Sequence, residues 1–490
     1  MEDHDLTLSG AARAPPLASS STVHRAKEPF HVQVIPPHAQ PNTTSPAYVT
    51  HLLSLSTSYG TPTLLAIADD STLTLIDKSS GVVAESQRAF ADARITQAKP
   101  LGGSGSGSFV ASVSNGTVAC WDTRAGLGKP VWILQGQSKA PYLCVEPNPS
   151  DANTVVAGTE QYGHGDSDID IWDIRASAAP SSKYNEVHSD DVTVLQYHPD
   201  HVNHGGILLS GSTDGLVSAI DTTIAEEDDA VISVGNTGNS VAKAGWIPFS
   251  SSSSSTYKSA GSMDTTMDSS EASDLSQTET ESRRRNLGLV YAIGDMQTLS
   301  LFDGDKFDPL IPTTDVRSSS SLRPPWSTDY VIDAFPSLPS FPNPPSSNST
   351  QETLTLFVGK SEGAFATLTI PTSQQGNTTP QKSWGLRAVF PEQGDGTFYG
   401  HADIVRSVEW DPATNTLYTG GEDGNLCFWK FDDINNGNGQ MQSSGSIALN
   451  SLPASTGYSG GAEGASRAGA RYGAGSGAQT ARSQRYTPYK

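Results

Sequence analysis

The sequence predicts an all-β fold, a seven-bladed propeller of four-stranded sheets, and three observations predict it. A short pattern, a polar turn followed by alternating apolar residues, recurs along the chain. The turns carry the Asp, Asn and Gly chemistry of tight hairpins, and the apolar runs have strand period. The closest-spaced copies lie near the length of a four-stranded blade.

The fullest copy is GGEDGNLCFWK, residues 420–430. Residues 213–221 read TDGLVSAID, residues 114–122 SNGTVACWD, residues 69–77 DDSTLTLID and residues 295–303 DMQTLSLFD. Residues 361–368, SEGAFATL, are a weaker copy, and residues 168–173, DIDIWD, keep only the end. Each copy is predicted to be a hairpin turn entering a strand. The position of the last tryptophan falls at Ile76, Trp121, Trp172, Ile220, Phe302, Leu368 and Trp429, with gaps of 45, 51, 48, 82, 66 and 61 residues. The shortest gaps approach the roughly 40–45 residues of a blade. The longer ones contain insertions.

Two copies carry a second signature upstream. His188-Ser189-Asp190-Asp191-Val192 precedes LQYHPD, and Gly400-His401-Ala402-Asp403-Ile404-Val405 precedes VEWDP. With these, the chain resembles the WD-repeat family of β-propellers over roughly residues 30–432. For the seventh blade the resemblance implies a buried hydrogen-bonded set of His401, Thr419, Asp423 and Trp429, which a low-dielectric site strengthens when every member is paired. Asp423 is then structural, not catalytic or metal-binding. The fourth blade keeps His188, Ser210 and Asp214 but has Ile220 in place of Trp. Within residues 185–247, the blocks LLSGSTDGLV and NTGNSVAKAG resemble the WD repeat-containing protein 89 family. That resemblance implies a link to ribosome production.

A propeller is a sheet curled on itself, so the last blade must close against the start of the chain. No fourth strand follows Trp429-Lys430-Phe431, whereas FHVQVI at residues 30–35 alternates. It is expected to supply the outer strand of blade seven. Residues 1–29 are expected to be a disordered N-terminus and residues 433–490 a disordered tail containing Gly, Arg and Tyr. Two insertions, near 249–286 (Ser-rich) and 336–351 (Pro-rich), fall between the first and second strands of blades five and six. Both are too polar or Pro-rich to bury a core. They leave free the face formed by the second-to-third-strand turns and the links between blades. The Ser/Thr and acidic residues of the first insertion suit phosphorylation, with plain linker as the other reading.

Charge and cysteines bound the function. The net charge is −22, which disfavours nucleic acid as a partner of the folded part and favours basic protein partners. The tail, residues 451–490, has five basic residues against Glu463 alone, and contact with RNA through it is an open alternative to a solvated tail. Three isolated cysteines without a CxxC suggest a reducing compartment, cytoplasmic or nuclear. The start is acidic and not signal-like, and no apolar run approaches the roughly 18 residues of a membrane span.

Other clusters read as structure. Asp166, Asp168 and Asp170 mimic the start of a calcium loop, but Ile171 and Ser177 stand where Gly and Glu belong. His198, His201 and His204 have no obvious fourth ligand and are expected in an exposed loop. GGSGSGS at 102–108 lacks the ending of a phosphate loop. No nucleophile–base set can be assembled, so an enzyme is not expected, and no cofactor or metal is implied.

Two functions remain. Asp70, Asp166, Asp168, Asp190, Asp191, Asp214, Asp295, Asp403, Glu422 and Asp423 map to turns on the free face and would attract a basic partner. Asp166, Asp168, Asp190 and Asp191 are the candidate contacts for an interaction scaffold, plausibly in ribosome biogenesis. The competing reading uses Arg124 and Arg175 of the two WDxR motifs, which resemble the docking arginines of cullin-4 ubiquitin-ligase substrate receptors.

Overall fold

The computed structural model describes residues 47–56, 61–102, 106–163, 165–176, 179–248, 283–317, 326–336, 353–372, 384–393 and 400–430, together with the backbone of three short N-terminal strands. Those three are β1 (Ala12–Arg13), β2 (His24–Arg25) and β3 (Phe30–Gln33). The rest form seven antiparallel sheets in chain order. Blade one is β4 (Val49–Ser56), β5 (Pro62–Ala68), β6 (Thr72–Asp77) and β7 (Val83–Arg88). Blade two is β8 (Ile95–Leu101), β9 (Ser108–Val113), β10 (Thr117–Asp122) and β11 (Trp132–Gln135). Blade three is β12 (Tyr142–Pro147), β13 (Thr154–Thr159), β14 (Ile169–Asp173) and β15 (Ser182–Tyr184). Blade four is β16 (Val192–Tyr197), β17 (Ile207–Ser212), β18 (Leu216–Asp221) and β19 (Val231–Asn236). Blade five is β20 (Val241–Ile247), β21 (Leu289–Gly294), β22 (Thr298–Asp303) and β23 (Pro309–Asp315). Blade six is β24 (Tyr330–Pro336), β25 (Thr353–Gly359), β26 (Phe365–Pro371) and β27 (Gly385–Phe390). Blade seven has β28 (Val405–Asp411), β29 (Thr416–Gly421) and β30 (Asn425–Lys430).

Its fourth strand comes from the other end of the chain. β3 runs antiparallel to β30, from Phe30 opposite Phe428 to Gln33 opposite Asn425. The expected closure is therefore present. The N-terminus differs from expectation upstream of it. Residues 12–13 pair in parallel with Thr314 and Asp315 on blade five, and residues 24–25 with Ala388 and Val389 on blade six. The segment thus visits three successive blades in chain order.

The core lies between blades rather than inside each one. Seven buried apolar clusters each span two consecutive blades, including one joining Val49, Leu52 and Leu64 of blade one to Tyr418, Leu426 and Phe428 of blade seven. Every inner strand carries a β-bulge at the same place, after Val49, Ile95, Tyr142, Val192, Val241, Val331 and Val405. A bulge frees one residue from the ladder and turns the strand. In blades two and four that residue reaches the next blade: Thr96 Oγ1 donates to Tyr142 O at 2.6 Å, and Thr193 Oγ1 to Val241 O at 2.6 Å. The blades approach closely enough to require glycine. A Cβ on Gly420 would meet Val49 Cγ1 at 2.4 Å.

Outside blade three, the turns between second and third strands are closed by an N–H to C=O bond over three residues, as in Gly424 N to Gly421 O at 3.2 Å. The residue after the turn has positive φ: Gly116 (79°), Gly215 (88°), Gly363 (98°) and Gly424 (70°). Blades one and five place Ser71 (67°) and Gln297 (60°) there instead. Both use the side chain that glycine lacks. Ser71 Oγ donates to Ala93 O and accepts from Ile95 N, and Gln297 Oε1 accepts from Val331 N, so each grips the next inner strand.

Of the Ser-rich insertion, residues 249–282 lie outside the described residues, but its C-terminal end is ordered and docked. Arg284 contacts Asp221 Oδ2 at 3.3 Å and donates to Asp229 O at 2.8 Å. The histidine loop corrects a second expectation. His198 and His204 are buried, not exposed; His198 Nε2 bonds Leu287 O at 3.0 Å and His204 Nδ1 bonds Arg283 O at 2.8 Å. They clamp the returning end of the insertion. The Pro-rich insertion beyond Pro336 and the tail lie outside the described residues.

Candidate functional site

In blade seven, β28 follows a link that carries His401, β29 carries Thr419, the turn holds Asp423 and β30 carries Trp429. These four side chains meet. His401 Nδ1 lies 3.1 Å from Asp423 Oδ1, His401 Nε2 is 2.8 Å from Thr419 Oγ1, and Trp429 Nε1 donates to Thr419 Oγ1 at 2.9 Å. Asp423 also accepts from Ala402 N and Asn425 N. Burial opposes a charged imidazole, but Cys427 and the Asp423 carboxylate outweigh it and hold His401 up to about 10. Burial likewise works against ionised Asp423, yet the bond from His401 pulls it down to about 2. The arrangement spans link, strand and turn, and its polar atoms face one another rather than a cleft.

Blade four repeats half of it. His188 Nδ1 is 3.1 Å from Asp214 Oδ2 and Nε2 is 2.8 Å from Ser210 Oγ, with Ile220 where the indole would be. The other blades lack the hydroxyl. The register position of Thr419 is Ala66, Ala111, Ala157, Ala292 and Val358 in blades one, two, three, five and six. Blades two and three nevertheless keep the tryptophan, and the buried Nε1 atoms of Trp121 and Trp172 have no hydrogen-bond partner.

Blade three has a substitute network that the sequence pattern did not reveal. Tyr142 OH of the inner strand donates to Asp170 Oδ2, and Tyr162 OH donates to Asp168 Oδ2 at 2.7 Å. Lys183 Nζ lies 3.2 Å from Asp168 Oδ1. Asp168 and Asp170 are both buried, which corrects the placement of Asp168 among partner-contacting carboxylates. Burial raises Asp170 to about 6. Alternation from Asp168, one residue before β14, to Asp170 within it buries both carboxylates and accounts for the pattern that mimicked a calcium loop.

Antiparallel connectivity sends the second-to-third-strand turns and the blade-to-blade links to one face, called here the link face. The first-to-second and third-to-fourth turns go to the other. Acidic residues occupy both faces, so charge alone does not single out the link face. The state of the carboxylates separates the faces better, although Asp214, Asp315 and Asp423 of the link face are, despite burial, held low by bonds from His188, Arg317 and His401. On the opposite face they are satisfied within their own turns. Bonds from Ser79 and Ser80 hold Asp77 down to about 2, bonds from Arg175 hold Asp173 down to about 2, and Asp122, Asp151 and Asp200 are lowered by bonds from Arg124, Asn153 and Asn203. On the link face, burial raises Asp69, Glu160, Asp191 and Asp295, and a neighbouring carboxylate adds to this at Asp69, Glu160 and Asp191.

The candidate contacts fall between blades three and four. Asp166 is exposed, whereas Asp190 and Asp191 are half-buried. Asp191 Oδ1 accepts from Gln161 N at 2.8 Å, and Asp190 Oδ1 from Asp191 N at 2.8 Å. Glu160 joins this group and was missed in the sequence, since the turn follows no repeat pattern there. A second recess of about 400 Å³, between blades one and two, is lined by Asp69, Asp70, Asp92, Arg88, Arg94 and Ser114 among others. Arg124 and Arg175 lie on the opposite face, with side chains 63% and 68% exposed. Each folds back on its own motif: Arg124 Nε is 2.8 Å from Asp122 Oδ1, and Arg175 Nε is 2.9 Å from Asp173 Oδ1.

Comparison with known proteins agrees with this architecture. The family model described as WD domain, G-beta repeat matches residues 395–430. Over 383 residues the chain is 26% identical to an uncharacterized WD repeat-containing protein of Saccharomyces cerevisiae, covering 77% of this chain and 78% of that one. It is 24% identical over 370 residues to the WD repeat-containing protein 89 homolog of Dictyostelium discoideum, covering 75% and 80%. A shorter match, 34% identical over 133 residues, links 26% of the chain to 38% of an uncharacterized WD repeat-containing protein of Schizosaccharomyces pombe. In fold, it is similar to a chain in a crystal structure of the mitotic checkpoint complex, with a TM-score of 0.52 at 13% identity, covering 88% of this chain and all of that one. With seven blades and the His–Thr–Asp–Trp set in the last of them, the chain is a seven-bladed β-propeller that carries a WD repeat at residues 395–430 and is similar over most of its length to proteins named for WD repeats.

Proposed function

We propose that this WD-repeat protein is a non-catalytic interaction scaffold whose link face binds a basic protein segment. One observation carries the reading: Glu160, Asp166, Asp190 and Asp191 gather on that face between blades three and four, where burial pushes Glu160 and Asp191 above the usual carboxylate range. Carboxylates in that condition gain more from an approaching cation than ones already bonded in their own turns. The group around Glu160, Asp166, Asp190 and Asp191 is the primary contact. Ribosome assembly, rich in basic proteins, fits the reading and rests on the family resemblance; a cytoplasmic or nuclear location fits it and rests on the three isolated cysteines. The test is co-purification from native cells at low and high salt. Basic proteins retained at low salt and released at high salt are the expected result; a partner set indifferent to salt contradicts it.

A second reading is favoured by Arg124 and Arg175, exposed in equivalent turns of consecutive blades. They would dock a ubiquitin-ligase adaptor after releasing Asp122 and Asp173. Loss of a cullin and its adaptor in an Arg124→Ala, Arg175→Ala protein would support it, and retention would remove it. Contact between RNA and residues 451–490 is a further proposal, tested by crosslinking.

A further inference from the structure

We propose that the centre of the ring holds a binding site for a small tetrahedral oxyanion of the phosphate class, gripped by Lys99 and Lys243. This is independent of the link-face reading. The first strand of each blade lines the central channel of a propeller. His51, Lys243 and Asp333 stand two residues after Val49, Val241 and Val331, where the inner strands bulge. Lys99 and Glu146 stand four residues after Ile95 and Tyr142, the same points of blades two and three. Five titratable side chains from five blades thus gather in two neighbouring layers of the channel.

Both lysines reach solvent although they stand on inner strands, with side chains 35% and 39% exposed. That exposure is to the channel. Each ammonium meets one carboxylate of the next blade, Lys99 Nζ to Glu146 Oε2 and Lys243 Nζ to Asp333 Oδ1, both at 3.4 Å. An ammonium has three donors, so one carboxylate at that distance leaves donors for a ligand. Glu409 of β28, the remaining carboxylate of these layers, is pushed up by burial and accepts from Ser54 N at 3.2 Å. His51 registers the field at the centre. Its Nδ1 lies 3.0 Å from Thr50 Oγ1. Burial first, then Lys243 and Lys99, hold it down to about 4, with Asp333 opposing them. In a chain of net charge −22, the centre of the ring is therefore locally positive.

The donors select the class of ligand. Lysine meets phosphate as a point charge, whereas the arginine fork matches planar carboxylates. The one arginine on the seven inner strands, Arg406, is bonded to Glu422. Lysines arriving from two blades that are not neighbours suit a tetrahedral dianion, whose oxygens point in several directions.

The test is calorimetric titration of the full chain at pH 7 with inorganic phosphate, and separately with glycerol 2-phosphate, in buffer matched for ionic strength with chloride. The expected result is binding that weakens about tenfold or more in a Lys99→Gln, Glu146→Gln protein and in a Lys243→Gln, Asp333→Asn protein. Each variant removes an ammonium together with its carboxylate, so the net charge is unchanged. Tighter binding of the inorganic ion assigns the site to free phosphate, and tighter binding of the ester assigns it to a phosphorylated small molecule; both support the class. No binding of either ligand, or equal binding by the variants, overturns the proposal. Should the variants not fold, reductive methylation of the unaltered chain decides: phosphate must protect Lys99 and Lys243 but not the exposed Lys129, and unchanged labelling overturns it.

Discussion

Lys78 and Asp411 join the two ends of the ring. The Lys78 ammonium, in the turn after β6 of blade one, donates to Asp411 Oδ2 at 3.0 Å, at the end of the inner strand of blade seven. It also donates to Ser54 Oγ at 2.7 Å and lies 5.3 Å from the centre of the Tyr418 ring. Both charged side chains are nearly buried, at 5% and 10% exposure. Burial pushes against ionised Asp411, yet the bond from Lys78 holds its carboxyl below the usual range. Replacing one partner strands the other charge. Lys78→Met is expected to cost about 3–5 kcal/mol, and the double change Lys78→Met, Asp411→Leu much less. Urea melts of the three proteins check this; equal losses in single and double variants would argue against a buried pair.

Ring closure also depends on β3. Removing residues 1–36 takes away the strand opposite Asn425–Phe428. The expected outcome is a lower urea midpoint, with faster amide exchange first in β30 and then across the interface of blades seven and one. An unchanged cooperative melt would show that β3 contributes nothing to closure.

The unpartnered indoles of blades two and three offer a stabilising change. Ala111→Ser and Ala157→Ser place a hydroxyl where Thr419 serves Trp429, giving Trp121 and Trp172 an acceptor. Each is expected to add about 0.5–1.5 kcal/mol. Thr419→Ala should do the reverse, costing at least about 1–3 kcal/mol because both His401 and Trp429 lose their partner. Thermal melts of the three variants give the signs directly.

Two carboxylates make opposite pH dependences. Asp423 is depressed to about 2 in the fold. Its contribution is present above the usual unfolded pKa, near 4, and is lost as pH falls through 2. His401, raised to about 10, contributes fully below about 6.5 and is lost as pH rises through 10. Asp170 runs the other way from Asp423. Raised to about 6, it keeps its proton longer in the fold, so stability falls as pH rises from about 4 through 6. Asp170→Asn keeps an acceptor for Tyr142 and removes that fall, a gain on the order of 2 kcal/mol at pH 7. Urea midpoints between pH 3 and 10 for the unaltered chain, Asp423→Asn and Asp170→Asn separate the three contributions.

What the sequence made legible was local. The turn of Asp423 and Gly424, the strand alternation leading to Trp429 and the link histidines His188 and His401 repeat within short windows, and hairpin chemistry acts within those windows. Closure by Phe30–Gln33 was legible because a propeller must close and few other segments alternate. What escaped joins positions far apart in the chain. His198 and His204 bond carbonyls of Arg283 and Leu287 across an insertion, Tyr142 reaches Asp170 in the third strand, and Lys78 meets a residue more than 300 positions away. No local pattern marks such partners. Asp168 was placed on the surface because its turn faces the link side, but strand alternation turns its side chain inward to Tyr162 and Lys183.

The most direct measurement is co-purification of the tagged protein, unaltered and as an Asp166→Lys, Asp190→Lys variant, each at low and high salt. Both changes spare Asp191, whose carboxylate holds the turn of blade three through Gln161. The account predicts basic protein partners with the unaltered chain at low salt, lost both at high salt and in the variant, while the variant melts as the unaltered chain does. The same partners retained by the folded variant would contradict a link face that works through its carboxylates.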